Sequence, residues 1–254
     1  MNPELRRALA EALLALADDE MILAHRDSEW SGHAPILEED IAFANIALDE
    51  MGHAQLWYRL VAELRDKDPE RLPDRLVFRR PASAFRNVRL VELPKGDWAF
   101  TIVRQHLFDS IELARLARLA QVGHAPLAQT AAKILNEERY HDRHTRAWMR
   151  RLAQGTDESR ARIRSALDLA WPKTAQLFLP IPGEERLLEA GVWVGGATLA
   201  GAWYAAESGF LGELGLDIEP LPAESEGRDV HTEHLEALLT EMQSVARLEP
   251  EAAW

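Results

Sequence analysis

The chain has 254 residues, 47% hydrophobic and 28% charged, a balance that supports a sizeable folded core and excludes a disordered or low-complexity chain. It contains no cysteine, which rules out disulfides, thiolate metal sites and cysteine nucleophiles, and is compatible with a reducing cytoplasm. A formal net charge of −13 opposes binding to nucleic acid or to an anionic membrane surface.

The N-terminal stretch from Pro3 to Asp27 carries Leu13, Leu16, Ala17, Leu23 and Ala24 on one stripe and reads as an amphipathic helix. Acids within it, and the lack of a small-residue cleavage site, argue against an export signal. After a connector punctuated by Gly32 and Pro35, a second helix is expected from Ile36 to Lys67, with Phe43, Ile46, Ala47, Ala54, Trp57 and Val61 on one face. A polar, Pro- and Arg-rich passage from Asp68 to Lys95 reads as the longest non-helical segment, crossing the end of a bundle. A third helix is predicted over Asp97 to Gln121 and a fourth over Leu127 to Ala153, stopped by Gly155. Beyond lie a helix from Glu158 to Leu177 broken at Pro172, a turn from Pro180 to Gly183, and a short helix from Glu184 to Ala190. Then come a helix from Ala197 to Leu214, a loop with Pro220, Pro222 and Gly227, and a last helix from His231 to Leu248. No strand pattern stands out, and no apolar run approaches the ~20 residues needed to cross a bilayer. The short pairs Arg79-Arg80 and Arg150-Arg151 read as solvated helix ends. Two successive helical hairpins joined by a long crossover predict an all-α, ferritin-like four-helix bundle. The expected organisation is one domain over 1–254, with a core bundle at 3–154 and a helical extension at 155–254.

Each of the four long helices places an acid within its apolar stripe. Glu20 points with Leu16, Ala17, Leu23 and Ala24. Glu50 and His53 share a face with Ile46, Ala47 and Trp57. Asp109 lies with His106 and Leu116, and Glu138 and His141 lie with Ile134 and Leu135. Burying four carboxylates together is tolerable only if cations compensate them, and two divalent ions supply four positive charges while imidazoles bind as neutral donors. Glu50/His53 and Glu138/His141 are both Glu-x-x-His, a spacing that sets both side chains on one helix face one turn apart. The single acid precedes the paired Glu by 30 residues in the first half and by 29 in the second, the near-repeat that a pseudo-twofold metal site between two hairpins requires. Glu112, one turn after Asp109, is the alternative ligand on the third helix. Asp49, four residues before a histidine, is placed to orient an imidazole from behind, and Glu137, at the same spacing, reads equally as such a group or as an exposed acid on the helix surface. His25 and His106 read as packing or supporting groups. His231-Thr232-Glu233-His234 opens a helix after a loop, where capping and surface contacts are expected. Mixed carboxylate and imidazole donors favour iron or manganese.

The segments Glu29-Trp30-Ser31-Gly32-His33-Ala34-Pro35 and Asp40 to Asp49, and the tail His231 to Leu235 continuing through Glu241-Met242-Gln243, resemble the C subunit family of ring-1,2-phenylacetyl-CoA epoxidase. The resemblance runs along nearly the whole chain. It implies a place in a multicomponent monooxygenase of aerobic phenylacetate degradation, beside a reductase and a catalytic subunit of A type, with an aryl-acyl-CoA substrate. In that family the di-iron site belongs to the A subunit, whereas the C subunit is a ferritin-like companion that has usually lost the ligands. This sequence departs from the C pattern. Glu20 matches the A subunit's first ligand, Glu50 and His53 its second-helix pair, Asp109 its third-helix acid, and Glu138 and His141 its fourth-helix pair. The implied cofactor is therefore two iron ions, with manganese as the other candidate, in a homodimer or small hetero-oligomer. The competing readings are a non-catalytic scaffold and a ferritin-like protein that handles iron or peroxide.

Overall fold

The computed structural model describes residues 1–223 and 226–249. Part of the expected loop (224–225) and everything after Glu249 lie outside the described residues. The described chain is all-α, with no strand among its described residues. In chain order the helices are α1 (Pro3–Ser28), α2 (Leu37–Leu64), α3 (Leu72–Phe78), α4 (Arg89–Glu92), α5 (Trp98–Leu119), α6 (Ala125–Ala153) and α7 (Asp157–Thr174). They continue with α8 (Glu184–Glu189), α9 (Gly196–Glu213), α10 (Glu233–Met242) and α11 (Ser244–Leu248). Among the described residues no helix is long and apolar enough to cross a membrane.

The long helices start and stop where local chemistry dictates. Asn2 accepts from the Leu5 backbone N–H at 2.8 Å with Pro3 in the first turn of α1, and Asp97 caps α5 by accepting from Phe100 N–H at 2.9 Å. Helix α2 ends three residues before the expected Lys67. Asp66 turns into the left-handed region at φ 53°, and Lys67 N–H reaches back to Ala62 O at 2.9 Å, closing the helix end.

The chain forms two compact units. One holds Met1–Pro94 and Glu226–Trp254, the other Lys95–Ser225. In the first, α1 packs along α2, and α1 and α10 contact α4. The passage from Asp68 to Lys95, read as non-helical, contains α3, a 3-10 turn at Ala82–Ala84 and α4. These pieces are too short to show helical periodicity, and side chains rather than a long apolar face hold them in place. Asp18 accepts from Arg86 N–H at 2.8 Å and Asp19 from Val88 N–H at 2.7 Å, so two buried acids of α1 fasten the passage to the helix. The C-terminal segment adds to the clasp. Arg228 donates to Asp19 at 2.7 Å, Thr232 donates to Glu92 through its N–H and its hydroxyl, and His231 lies 2.6 Å from the same carboxylate. His231 is therefore half-buried with a specific partner, while Thr232 caps α10 as expected, its hydroxyl accepting from His234 N–H. The expected last helix divides at Gln243, whose side-chain amide donates to the carbonyls of Val77 and Arg80. Of the Arg79-Arg80 pair, Arg79 is exposed at the end of α3 and donates to the Ala246 carbonyl, whereas Arg80 is half-buried and pairs with Asp18.

In the second unit, α5 packs against α6, α7 and α9 and is buried on nearly all sides from Ala99 to Glu112. Helix α6 buries a single stripe, Leu127, Ala131, Ile134, Glu138, His141, Thr145 and Met149, and leaves its other faces wetter. Helix α7 continues through Pro172 instead of breaking there. The proline sits in the last turn, where one lost backbone bond is tolerated, and a 3-10 turn at Ala175–Phe178 follows. Gly183, at φ 83°, starts α8. Gly196 lets α9 begin hard against Phe178, whose carbonyl oxygen would lie 2.5 Å from any added Cβ.

Candidate metal centre

In the first unit, Glu20 lies on the stripe of α1 that buries Leu13, Leu16, Ala17, Leu23 and Ala24. Glu50 and His53 share the buried stripe of α2 with Phe43, Ile46, Ala47, Ala54 and Trp57. Because α1 and α2 pack lengthwise, the three side chains meet. His53 Nδ1 is 3.6 Å from Glu50 Oε2 and 3.9 Å from Glu20 Oε2, and one donor atom from each residue falls within 4.8 Å of the others. All three residues are buried.

The second unit repeats the pattern. His141 Nδ1 lies 3.1 Å from Glu138 Oε1, one turn back on α6. A carboxylate oxygen of Asp109 on α5 comes within 4.8 Å of a ring nitrogen of His141. Asp109 accepts from Gln105 Nε2 at 2.8 Å and from the Thr145 hydroxyl at 3.2 Å, which fixes the orientation of its carboxylate. Glu112, the alternative on this helix, is engaged by Arg115, whose second nitrogen donates to Leu177 O at 2.9 Å. Asp49 and Glu137 are both half-buried. In both units the histidine thus turns Nδ1 toward the glutamate one turn earlier, which is what i, i+3 placement on a helix produces. The donor set of carboxylate oxygens and imidazole nitrogens fits Fe(II) or Mn(II). It matches the acid-plus-Glu-x-x-His sets that ferritin-like dimetal proteins project inward from their helices.

His106, read as a packing or supporting group, has a specific partner. Its Nε2 is 2.8 Å from Glu207 Oε2, and its ring tilts against Phe210 at 5.2 Å. Glu207 also accepts from Arg146 at 2.6 Å, and Arg146 donates back to Asp142 at 2.8 Å. Burial alone would push the Glu207 carboxyl up, but the His106 hydrogen bond and the Arg146 charge hold it below the usual carboxylate range. A single acid within the apolar run Ala197–Phe210 was the available signal for Glu207.

A family model described as phenylacetic acid catabolic protein matches residues 1–254. The chain is 39% identical to the C subunit of 1,2-phenylacetyl-CoA epoxidase from Escherichia coli, over 95% of this chain and 97% of that protein. It is 23% identical to the A subunit of the same epoxidase, over 69% of this chain and 55% of that protein. A match along its entire length, together with this likeness to the C subunit, makes the chain a member of the phenylacetic acid catabolic protein family and a homologue of the C subunit of phenylacetyl-CoA epoxidase.

Proposed function

We propose that this chain is a C-type subunit of a multicomponent phenylacetyl-CoA epoxidase that has kept a working dimetal centre. In this reading residues 1–254 make one ferritin-like domain, with a core bundle at 3–154 and the later helices as an extension. The proposed ligands are Glu20, Glu50, His53, Asp109, Glu138 and His141. Each Glu-x-x-His pair grips one ion, and Glu20 and Asp109 complete the carboxylate set. The observation that carries the reading is the duplicated geometry: each unit buries an acid from one helix with a Glu-x-x-His pair from the next. Held by these residues, an Fe(II) pair would supply reducing equivalents for the activation of dioxygen. The chain's own residues hold the ions. Thr145 and Gln105 orient Asp109, and the apolar stripes on either side of the acids exclude water. Expected companions are a reductase, an aryl-acyl-CoA and an A-type catalytic subunit, in a small cytoplasmic hetero-oligomer.

The test is reconstitution under anaerobic conditions with Fe(II), reductase and the A-type subunit, followed by phenylacetyl-CoA and oxygen. The double variant Glu50→Gln/His53→Ala is expected to lower epoxide formation by roughly 100-fold or more, since ligands act as a unit. Turnover unchanged by the double variant would remove this chain from the chemistry. A scaffold beside the A-type subunit would then be its function, a reading favoured by the higher identity to the C subunit than to the A subunit.

A further inference from the structure

The ion pairs Arg6–Asp66 and Arg65–Glu11 tie the start of α1 to the end of α2. Between the two helix ends lies a cleft of about 240 Å3, lined by Arg6, Arg7, Arg65 and Asp66 and by the apolar Pro3, Ala10 and Leu64. In a chain of net charge −13, three guanidiniums against one carboxylate around one opening reverse the prevailing sign locally. Ten helical residues, about 15 Å, separate Ala10 from Glu20, so the cleft is distinct from the acid-and-histidine cluster.

Two of the three guanidiniums are held in place, and the third is open. Arg6 donates through Nη2 to Asp66 Oδ1 at 2.7 Å and to Glu63 O at 3.2 Å, and Arg65 donates through Nη2 to Glu11 Oε1 at 2.9 Å. Each uses one terminal nitrogen, which leaves the other N–H groups of both forks for a ligand. Arg7 is exposed and pairs with no acid among the described residues. The carboxylates of Asp66 and Glu11 are 80% and 41% exposed, and ion pairs this open to water yield easily to a better anion.

Guanidinium forks match the oxygens of carboxylates and phosphates. A carboxylate fills one fork and brings one charge. A phosphate group brings three terminal oxygens and close to two charges at neutral pH, so it engages two forks at once. The cleft is smaller than the ~300 Å3 at which sites for drug-sized ligands begin, and suits a phosphate with the first atoms of whatever carries it.

We propose that the Arg6–Arg7–Arg65 cleft binds a doubly charged phosphate group, the chemistry shared by free inorganic phosphate and the ribose phosphate of coenzyme A. The site does not rest on the C-type assignment.

The test is calorimetric titration of the full-length chain with inorganic phosphate, coenzyme A and dephospho-coenzyme A in turn. Chelator is present throughout, so that no ion at the acid-and-histidine cluster draws phosphate. Saturable binding of coenzyme A that is lost with dephospho-coenzyme A upholds the site and assigns it a carried phosphate. Inorganic phosphate binding as tightly as coenzyme A upholds the site and assigns it the free ion. Arg7→Gln/Arg65→Gln is expected to weaken binding roughly 10-fold or more, and Arg7→Lys/Arg65→Lys should restore part of the loss, because lysine keeps the charge but not the fork. Arg75→Gln/Arg118→Gln removes the same charge from exposed positions outside the cleft and should leave the affinity within about twofold. An equal loss in that control would show attraction by net charge alone and overturn the site. Equal binding of coenzyme A and dephospho-coenzyme A would overturn it too, as would saturable binding of neither inorganic phosphate nor coenzyme A to the wild type.

Discussion

Replacing Glu20 and Glu50 together by glutamine is expected to raise the thermal midpoint of the metal-stripped protein and to abolish its stabilisation by Fe(II). Both carboxylates are buried, and both lie within 4.8 Å of the same His53 nitrogen. Without a cation, two carboxylates held this close repel each other and have lost most of their hydration. Glutamine keeps their shape and removes their charge. A gain of about 1–3 kcal/mol is the expected scale for relieving a buried functional site, or a rise of roughly 2–12 °C at this size. The wild type should instead gain about 2.7 kcal/mol from Fe(II) at a hundredfold excess over its dissociation constant, and the variant should gain nothing. Calorimetry in chelator and in anaerobic Fe(II) gives both numbers. A variant less stable than the wild type in chelator would mean that the acids serve the fold rather than a metal.

The residue two positions before Glu20 should behave in the opposite way. Asp18 accepts from the Tyr58 hydroxyl at 2.6 Å, from Arg80 through both terminal nitrogens, and from Arg86 N–H at 2.8 Å. Burial works against the Arg80 charge, yet Asp18 beside it holds that guanidinium firmly protonated, while Arg80 also stacks on Phe85 at 4.2 Å. Asp18→Ala leaves a half-buried cation and a buried hydroxyl without their acceptor, and should cost about 3–5 kcal/mol with or without metal. The thermal midpoint is expected to fall by roughly 6–20 °C, and Asp18→Asn should fall less. A loss below about 1 kcal/mol would show that the clasp is dispensable. Burial and the Asp18 charge push the Tyr58 hydroxyl well above its ordinary value. A raised folded-state value means that this contribution is complete below the phenol's usual range near pH 10, and is lost only as alkali rises through the folded value.

The contrast between Asp18 and Glu20 shows where sequence reading succeeds. Long helices with a single apolar stripe announce themselves. The α6 stripe from Leu127 to Met149 is readable at sight, and its Glu138 and His141 fall in register with it. Glu20, Glu50 and Asp109 were legible for the same reason: an acid inside an apolar period needs a partner. Asp18 and Asp19 break the same pattern in α1, but their partners lie 40 to 209 residues away, in Tyr58, Arg80 and Arg228, beyond the reach of any local period. The helices α3 and α4 escaped because seven and four residues are too few for a period to show. Pro172 misled because a proline in a final turn costs far less than one at mid-helix. The same limit hid Glu207, whose pairing with His106 joins positions 101 residues apart.

Anaerobic titration with Fe(II), followed by removal of free ion and elemental analysis, tests the dimetal centre most directly. Two ions per chain are expected, falling to none in Glu20→Gln/Glu50→Gln. A correctly folded chain that retains no iron or manganese at stoichiometric level would contradict the dimetal centre and leave the buried acids and histidines as structural groups.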